Sequence, residues 1–387
     1  MLQTLAVANY RSLRSLVMPL GQVTLITGAN GSGKSSVYRA LRLLAETAQG
    51  GLVGALAREG GLSSVLWAGP ENVSRAMRRG EQPVQGTRRK EAVALRLGFS
   101  GDQFGYAIDL GLPPPPVGAF MLDPHIKREC VWAGPALRPA ALLVDRSGPS
   151  VRLRDGAGRW QETTHRIGPF DSMLSQYSDP RHAPEMHAVR ENLRRWRFYD
   201  HFRTDAAAPA RAEQIGTYTP VLGHDGADLA AALQTLREIG DAETLDEAID
   251  DAFPGSAIDI HVSDGSFSLR MSQPGLLRPL SAAELSDGTL RYLLLSVALL
   301  SPRPPELLIL NEPESSLHPD LLPALARLII AASARSQIIV VSHAAPLIEI
   351  LEDRPACVHH VLGKDIGGTE ILGLSELDAP AWRWPER

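Results

Sequence analysis

The sequence predicts an α/β fold with a mainly parallel sheet, an antiparallel β part on the N-terminal side and an inserted α+β region. Three observations carry this. In the last third, apolar runs of strand length alternate with helical periodicities. Near the start, the run Gly28-Ala29-Asn30-Gly31-Ser32-Gly33-Lys34-Ser35 joins a short apolar segment to a helix-like one. Between these regions, Ala92–Phe99 and Phe104–Leu110 alternate like two paired strands.

The elements follow in order. Leu2–Ala8 and Val23–Thr27 are short, apolar and flanked by turn residues, as strands are. Ser35–Gln49 carries Val37, Leu41 and Leu44 at helical spacing, and Ser64–Trp67 is strand-like. Arg75–Lys90 is polar and basic, a loop or exposed helix. Pro113–Pro116 suits neither a helix interior nor a central strand and reads as a stiff extended link. Ala141–Leu153 and Arg159–Thr164 resemble strands around the turn Asp155–Gly158. Glu185–Phe202 has a helical stripe of Val189, Leu193, Trp196 and Tyr199. Helices are expected at Asp225–Ile239 and Ala242–Phe253, then a hairpin of Ala257–Val262 and Ser266–Met271 around Asp264-Gly265. A helix at Gly288–Leu300, a strand at Glu306–Leu310, a helix at Pro319–Ala334 and a strand at Gln337–Ser342 come next. A hairpin over His359–Leu374 completes the pattern. We divide the chain into 1–99, an insertion at 100–210, and 211–387.

Composition narrows the function classes. The chain has 387 residues, 44% hydrophobic and 21% charged, the balance of a globular protein. Its net charge of −5 confines any nucleic-acid contact to local patches such as Arg75–Lys90 and Arg190–Arg203. Two cysteines, Cys130 and Cys357, exclude a disulfide scaffold and a cysteine-rich zinc module. His182, His187, His201 and His224 lack metal-ligand spacing. No apolar run reaches the roughly 20 residues of a membrane span; Leu290–Leu300 comes nearest, and Arg291 interrupts it. Met1–Tyr10 does not read as a signal peptide. The expectation is a cytoplasmic protein with no membrane partner.

The glycine-rich run fits G-x-x-x-x-G-K-[ST] between a strand and a helix. Glycines let backbone N–H groups converge on a phosphate, and the helix N-terminus adds positive charge. Asn30, Gly31 and Gly33 would line that cradle. Lys34 would reach the β- and γ-phosphates, Ser35 would ligate Mg²⁺, and Ser36 would lie near the α-phosphate. A second acidic position follows Glu306–Leu310, at Asn311-Glu312-Pro313-Glu314. Glu312 is the candidate general base or water-positioning group. His343, at the end of Gln337–Val341, can hydrogen-bond a phosphate or the attacking water. Ser286 and the Gly288 amide open a long apolar helix, a second anion site against the alternative of a plain N-cap.

Together these motifs resemble an ABC-type ATPase head of the branch that holds RecF, SMC and OLD-like proteins, within the broad group of stand-alone AAA family ATPases. Gly28–Ser35 resembles its Walker A, Leu285–Thr289 its signature, Leu307–Glu312 its Walker B, Ser315–His318 its D-loop and His343 its switch histidine. Asn9-Tyr10-Arg11-Ser12 resembles the family's opening, which implies that Arg11 lies near the nucleotide. The resemblance departs at Asn311, where the family carries a metal-facing aspartate. Asn311 can face the metal through a neutral oxygen only. No glutamine fits the family's Q-loop.

The resemblance implies ATP and Mg²⁺ as cofactors, catalysis by Glu312, His343 and Lys34, and a homodimer stacked head to tail around two ATP-Mg. It implies ATP hydrolysis, slowed by Asn311, in DNA repair or maintenance, or in phage defence. The insertion would bind DNA or a partner protein. The competing classes are an ATP-gated binding module with little turnover and a transporter ATPase subunit. The long stretch between Ser36 and Leu285 argues against the second. No nuclease-like acidic cluster follows His343.

Overall fold

A computed structural model describes the whole chain apart from residues 86–91, 93, 115–118, 121, 178, 201, 376 and 387. Part of Arg75–Lys90, part of Pro113–Pro116, and His201 therefore lie outside the described residues. The chain divides into two compact units. One holds residues 1–21, 27–196 and 360–387. The other holds 22–26 and 197–359.

The first unit is built on an eight-stranded antiparallel sheet. Its spatial order is Leu13–Pro19, Leu2–Tyr10, Leu95–Gly101, Phe104–Gly111, His125–Ala133, Leu142–Ser147, Ser150–Arg154 and Trp160–Glu162. From Leu95 onward it is a meander, each strand pairing with its successor. Helix Lys34–Gln49 packs against strands Leu2–Tyr10 and Leu95–Gly101 and against helix Pro184–Arg194. Its stripe of Val37, Leu41, Leu44 and Ala48 is buried, as the spacing requires. A C-terminal hairpin pairs Cys357–Asp365 with Gly368–Ile371, register Leu362 to Ile371.

In this unit two strands among the described residues escape the sequence pattern, Leu13–Pro19 and His125–Ala133. The second carries Lys127, Arg128 and Glu129, which break apolar alternation. Glu129 nevertheless lies fully buried. It accepts hydrogen bonds from Tyr106 Oη (2.7 Å), Ser172 Oγ (2.6 Å) and the Met173 N–H (2.8 Å), and pairs with buried Arg146 at 2.5 Å. A buried charge survives only with such partners.

Three expected elements are corrected. Ser64–Trp67 is not a strand: Ser64 and Val65 belong to the helical turn Leu62–Val65. The expected strand Ala141–Leu153 is two strands, split at Gly148, whose φ of 54° makes a tight turn. The helix expected to run to Phe202 stops at Arg194. Arg197–Tyr199 is instead a strand, and its residues pair in parallel with Leu308–Leu310.

The second unit holds the parallel strands. Arg197–Tyr199, Leu307–Asn311, Gln337–Val341 and Val23–Ile26 lie side by side in that order. Asn311 sits opposite Val341, and Val341 opposite Ile26. Their carboxyl ends are therefore level. Helix Asp287–Leu299 is buried on every side from Leu290 to Leu299, so it forms the centre of the core with Leu25, Leu233, Leu310 and Leu325. A small antiparallel sheet holds Gln214–Ile215, Ser266–Ser272, Ala257–Ser263 and Leu280–Ser281. Among the described residues, no helix is long and apolar enough to cross a membrane.

Candidate functional site

In the first unit, Gly28 to Gly33 curl ahead of helix Lys34–Gln49. Gly28, Gly31 and Gly33 have φ of 142°, 78° and 112°, in the region that favours glycine. Space makes the same demand at two of them. A Cβ on Gly28 would come within 2.3 Å of the Leu362 carbonyl oxygen, and one on Gly33 within 2.2 Å of Thr369 Oγ1. The helix starts at Gly33 with no side-chain cap and no acid in its first turn. Its N-terminal amides thus present positive charge that no carboxylate of that turn opposes. Asn30, Gly31 and Ser35 are exposed on this surface, while Ser36 is buried. Lys34 is buried, and its ammonium donates to the carbonyls of Gly28 (2.6 Å) and Ala29 (3.1 Å).

Arg11 is engaged elsewhere in the same unit. Its guanidinium donates to Glu59 at 2.6 Å and 3.1 Å, and Tyr10 Oη donates to the same carboxyl. Burial, then the hydrogen bond to Glu59, pushes the Tyr10 hydroxyl far above its ordinary range. Arg11 has a φ of 51°, and its N–H bonds the Val65 carbonyl at 2.6 Å. Its neighbour Ser12 is the residue joined to the phosphate-loop motif, through Thr369.

In the second unit, the level strand ends bring Asn311, Glu312, Ser342 and His343 together. The Glu312 N–H donates to the Val341 carbonyl at 2.8 Å, and Glu312 holds φ at 49°. Glu314 is 8% exposed and fixes the neighbouring turn. Its Oε1 accepts from Ser342 Oγ at 2.7 Å and from the His343 N–H at 2.8 Å. The His343 ring, largely exposed, has Nδ1 3.2 Å from the same oxygen.

The opening of helix Asp287–Leu299 adjoins this turn. Ser286 is its N-cap and accepts the Thr289 N–H at 3.1 Å. Gly288 leaves no room for a side chain, since a Cβ would lie 2.9 Å from the Ser316 carbonyl oxygen. One turn on, Arg291 is 4% exposed and donates to the carbonyls of Glu312 (3.1 Å), Phe202 (3.4 Å) and Pro313 (3.5 Å). Burial depresses its pKa, and the field of Glu314, Asp200 and Glu312 opposes that shift. Arg211 holds the segment before the helix through the carbonyls of Ala282 (2.8 Å) and Leu285 (2.7 Å) and the carboxylate of Asp287 (2.8 Å).

A family model described as "AAA domain, putative AbiEii toxin, Type IV TA system" matches residues 23–349. The chain belongs to this AAA-domain family. No curated protein matches it. Among solved structures, an SMC head bound to the C-winged helix domain of ScpA is similar at 14% identity and a TM-score of 0.52, covering 98% of this chain and 99% of that one. The SMC head of Thermotoga maritima is 16% identical over 96% and 98% of the two chains, with a TM-score of 0.45. A third, the Smc head with an extended coiled coil bound to the C-terminal domain of ScpA, derived from Pyrococcus furiosus, is 14% identical over 96% and 95%, with a TM-score of 0.48. The fold is thus that of a P-loop NTPase of the ABC-ATPase-head type, as the motif order implies.

Within this AAA-domain protein, sequence reasoning passed over Glu314, Arg211, Arg291 and Thr369. Only Arg291 left a signal, a lone cation in an apolar helix. Among the described residues, no group of three or more His, Cys, Asp or Glu side chains could hold a metal. Of the basic segment 190–203, Arg194 pairs with Glu191 (3.4 Å) and Arg203 with Asp205 (2.9 Å).

Proposed function

We propose that this AAA-domain protein is an ATP-binding, slowly hydrolysing switch whose two copies close head to tail around two ATP-Mg. The observation that carries the reading is the uncapped, acid-free helix N-terminus at Gly33, with Lys34 and three left-handed glycines around it. That constellation fits a polyphosphate. Lys34 exchanges its two carbonyl partners for phosphate oxygens. Ser35 Oγ and Asn311 Oδ1 are neutral donors toward Mg²⁺, and such a donor set suits an ion held mainly by phosphates and water. When bound there, the ion would offset charge on the transferred phosphoryl group. Glu312 accepts the proton of the attacking water, and His343 orients that water or the γ-phosphate. Ser286 and the Gly288 amide of one copy engage the γ-phosphate held by Lys34 of the other. Arg11 joins the nucleotide side only by leaving Glu59. Loss of the γ-phosphate then removes the contacts that favour the closed pair.

The setting we favour is DNA maintenance or phage defence, inside the cell. The family description, which names a toxin and a toxin–antitoxin system, supports the second. Residues 100–210 are the segment offered to DNA or a partner protein. Asn311 favours a second reading, an ATP-gated binding module with little turnover, because a neutral ligand weakens the hold on Mg²⁺. One experiment separates the two. Turnover per subunit is measured against protein concentration with Mg²⁺, with Glu312→Gln as the blank. A specific rate that climbs with concentration supports the composite site. A rate equal to the blank throughout, with ATP still bound and Lys34→Ala unable to bind it, supports the gated module. ATP binding that survives Lys34→Ala overturns both.

A further inference from the structure

The phosphate-loop motif is held by a residue far along the chain. Thr369, at the tip of the C-terminal hairpin, is buried. Its Oγ1 stands 2.7 Å from the Ser32 carbonyl oxygen and 2.8 Å from Ser12 Oγ, and its N–H donates to the Ser12 carbonyl at 2.8 Å. The single threonine proton faces two acceptors, the Ser32 carbonyl oxygen and the Ser12 hydroxyl oxygen. Both neighbours are glycines for want of room. A Cβ on Gly33 would meet Thr369 Oγ1 at 2.2 Å, and one on Gly368 would meet the Ser12 carbonyl oxygen at 2.7 Å.

Peptide geometry gives this grip a direction. In a planar trans peptide the C=O of one residue and the N–H of the next point opposite ways. With the Ser32 carbonyl drawn to Thr369, the Gly33 N–H faces away from the hairpin. We propose that Thr369 is the positioning residue of the phosphate loop: by holding the Ser32 carbonyl, braced by Ser12, it aims the Gly33 amide at the bound anion. The inference rests on the nucleotide reading for its ligand, while the grip itself is testable without one.

The test uses the full chain with Thr369→Val, which keeps shape and loses the hydroxyl, and Thr369→Ser, which keeps the hydroxyl. Amide hydrogen exchange over residues 28–36 is measured without nucleotide, and ATP affinity and kcat with it. Thr369→Val speeds exchange in the loop and weakens ATP binding by about five- to tenfold, the loss expected for one hydrogen bond. Its kcat at saturation stays within about twofold, because no group that moves a proton is touched. Thr369→Ser restores both readouts. Should Thr369→Val fail to fold, Ser12→Ala carries the same test at the outer end of the relay. Unchanged loop exchange in the valine variant overturns the proposal, as does equal loss in the serine variant. Faster exchange in a protein whose parent binds no ATP supports the grip and overturns the nucleotide reading instead.

Discussion

The guanidinium of Arg291 donates to the backbone carbonyl of Glu312 at 3.1 Å. Glu312 sits at a φ of 49°, which a side chain bearing a Cβ adopts only when its surroundings impose it. Arg291→Met removes that support: the carbonyls of Pro313 and Phe202 lose the guanidinium donor, and the Glu312 carbonyl keeps the Ser315 N–H alone. The expected outcome is a loss of about 2–3 kcal/mol in urea unfolding. Turnover falls by about ten- to a hundredfold through misplacement of Glu312, with ATP affinity nearly unchanged. Titration of a fluorescent ATP analogue beside steady-state rates checks the split.

Asn311 is the position where a carboxylate is expected to be restorable. Asn311 lies at the level end of its strand opposite Val341. Asn311→Asp should lower the Mg²⁺ concentration for half-maximal turnover by roughly tenfold, the effect of one charged ligand in place of a neutral one. Glu312→Gln should cut kcat by about a hundredfold or more while ATP stays bound. A Mg²⁺ titration that is the same for Asn311→Asp and the parent would remove Asn311 from the metal side.

Glu284 makes the segment before Ser286 sensitive to acid. The Arg278 guanidinium first, then the N–H and hydroxyl of Ser281, hold its carboxyl down to about 2, from an ordinary 4.5. The folded value is depressed, so its stabilising effect is full above the ordinary value and lost as pH falls toward 2. The stability difference between the parent and Glu284→Gln should be constant from pH 7 to about 5 and close by about pH 2. Urea midpoints across that range give the test. A difference flat with pH would detach Glu284 from its partners.

Glu129 and Arg146 form a pair with neither side chain exposed. Glu129→Ala strands the guanidinium and is expected to cost about 3–5 kcal/mol in denaturant unfolding. Replacing both residues with apolar ones of similar volume should recover most of that loss, since the pair's own net contribution is small. A double-mutant cycle reads this directly.

What could be read from sequence was local. Gly28–Ser35 declared itself because glycine spacing, strand and helix all lie within a few residues of one another. The helix at Asp287 and the level strands at Asn311 and Val341 followed from simple periodicity. Thr369 was illegible because its partner Ser32 is 337 residues away. Glu314 stood in the run Asn311–Glu314 with no role of its own, because the Ser342 and His343 groups that draw it into the interior lie 28 and 29 residues on. The strand His125–Ala133 hid for the same reason: one of its buried positions is Glu129, and Arg146 on the next strand, with Tyr106, Ser172 and the Met173 N–H, makes that burial tolerable. At Arg11 the local motif left out a distant partner. The motif around it resembled a nucleotide contact, but Glu59, 48 residues downstream, holds its guanidinium.

The relay Ser12–Thr369–Ser32 also has a consequence for synthesis. Translation makes Gly28–Ser36 early, but the hydroxyl that grips the Ser32 carbonyl arrives 337 residues later. Until then a nascent chain on the ribosome carries the motif without its brace. The loop therefore reaches its final shape only as the C-terminal hairpin folds back. A prematurely released fragment would hold every residue of the motif without the hydroxyl that holds the Ser32 carbonyl.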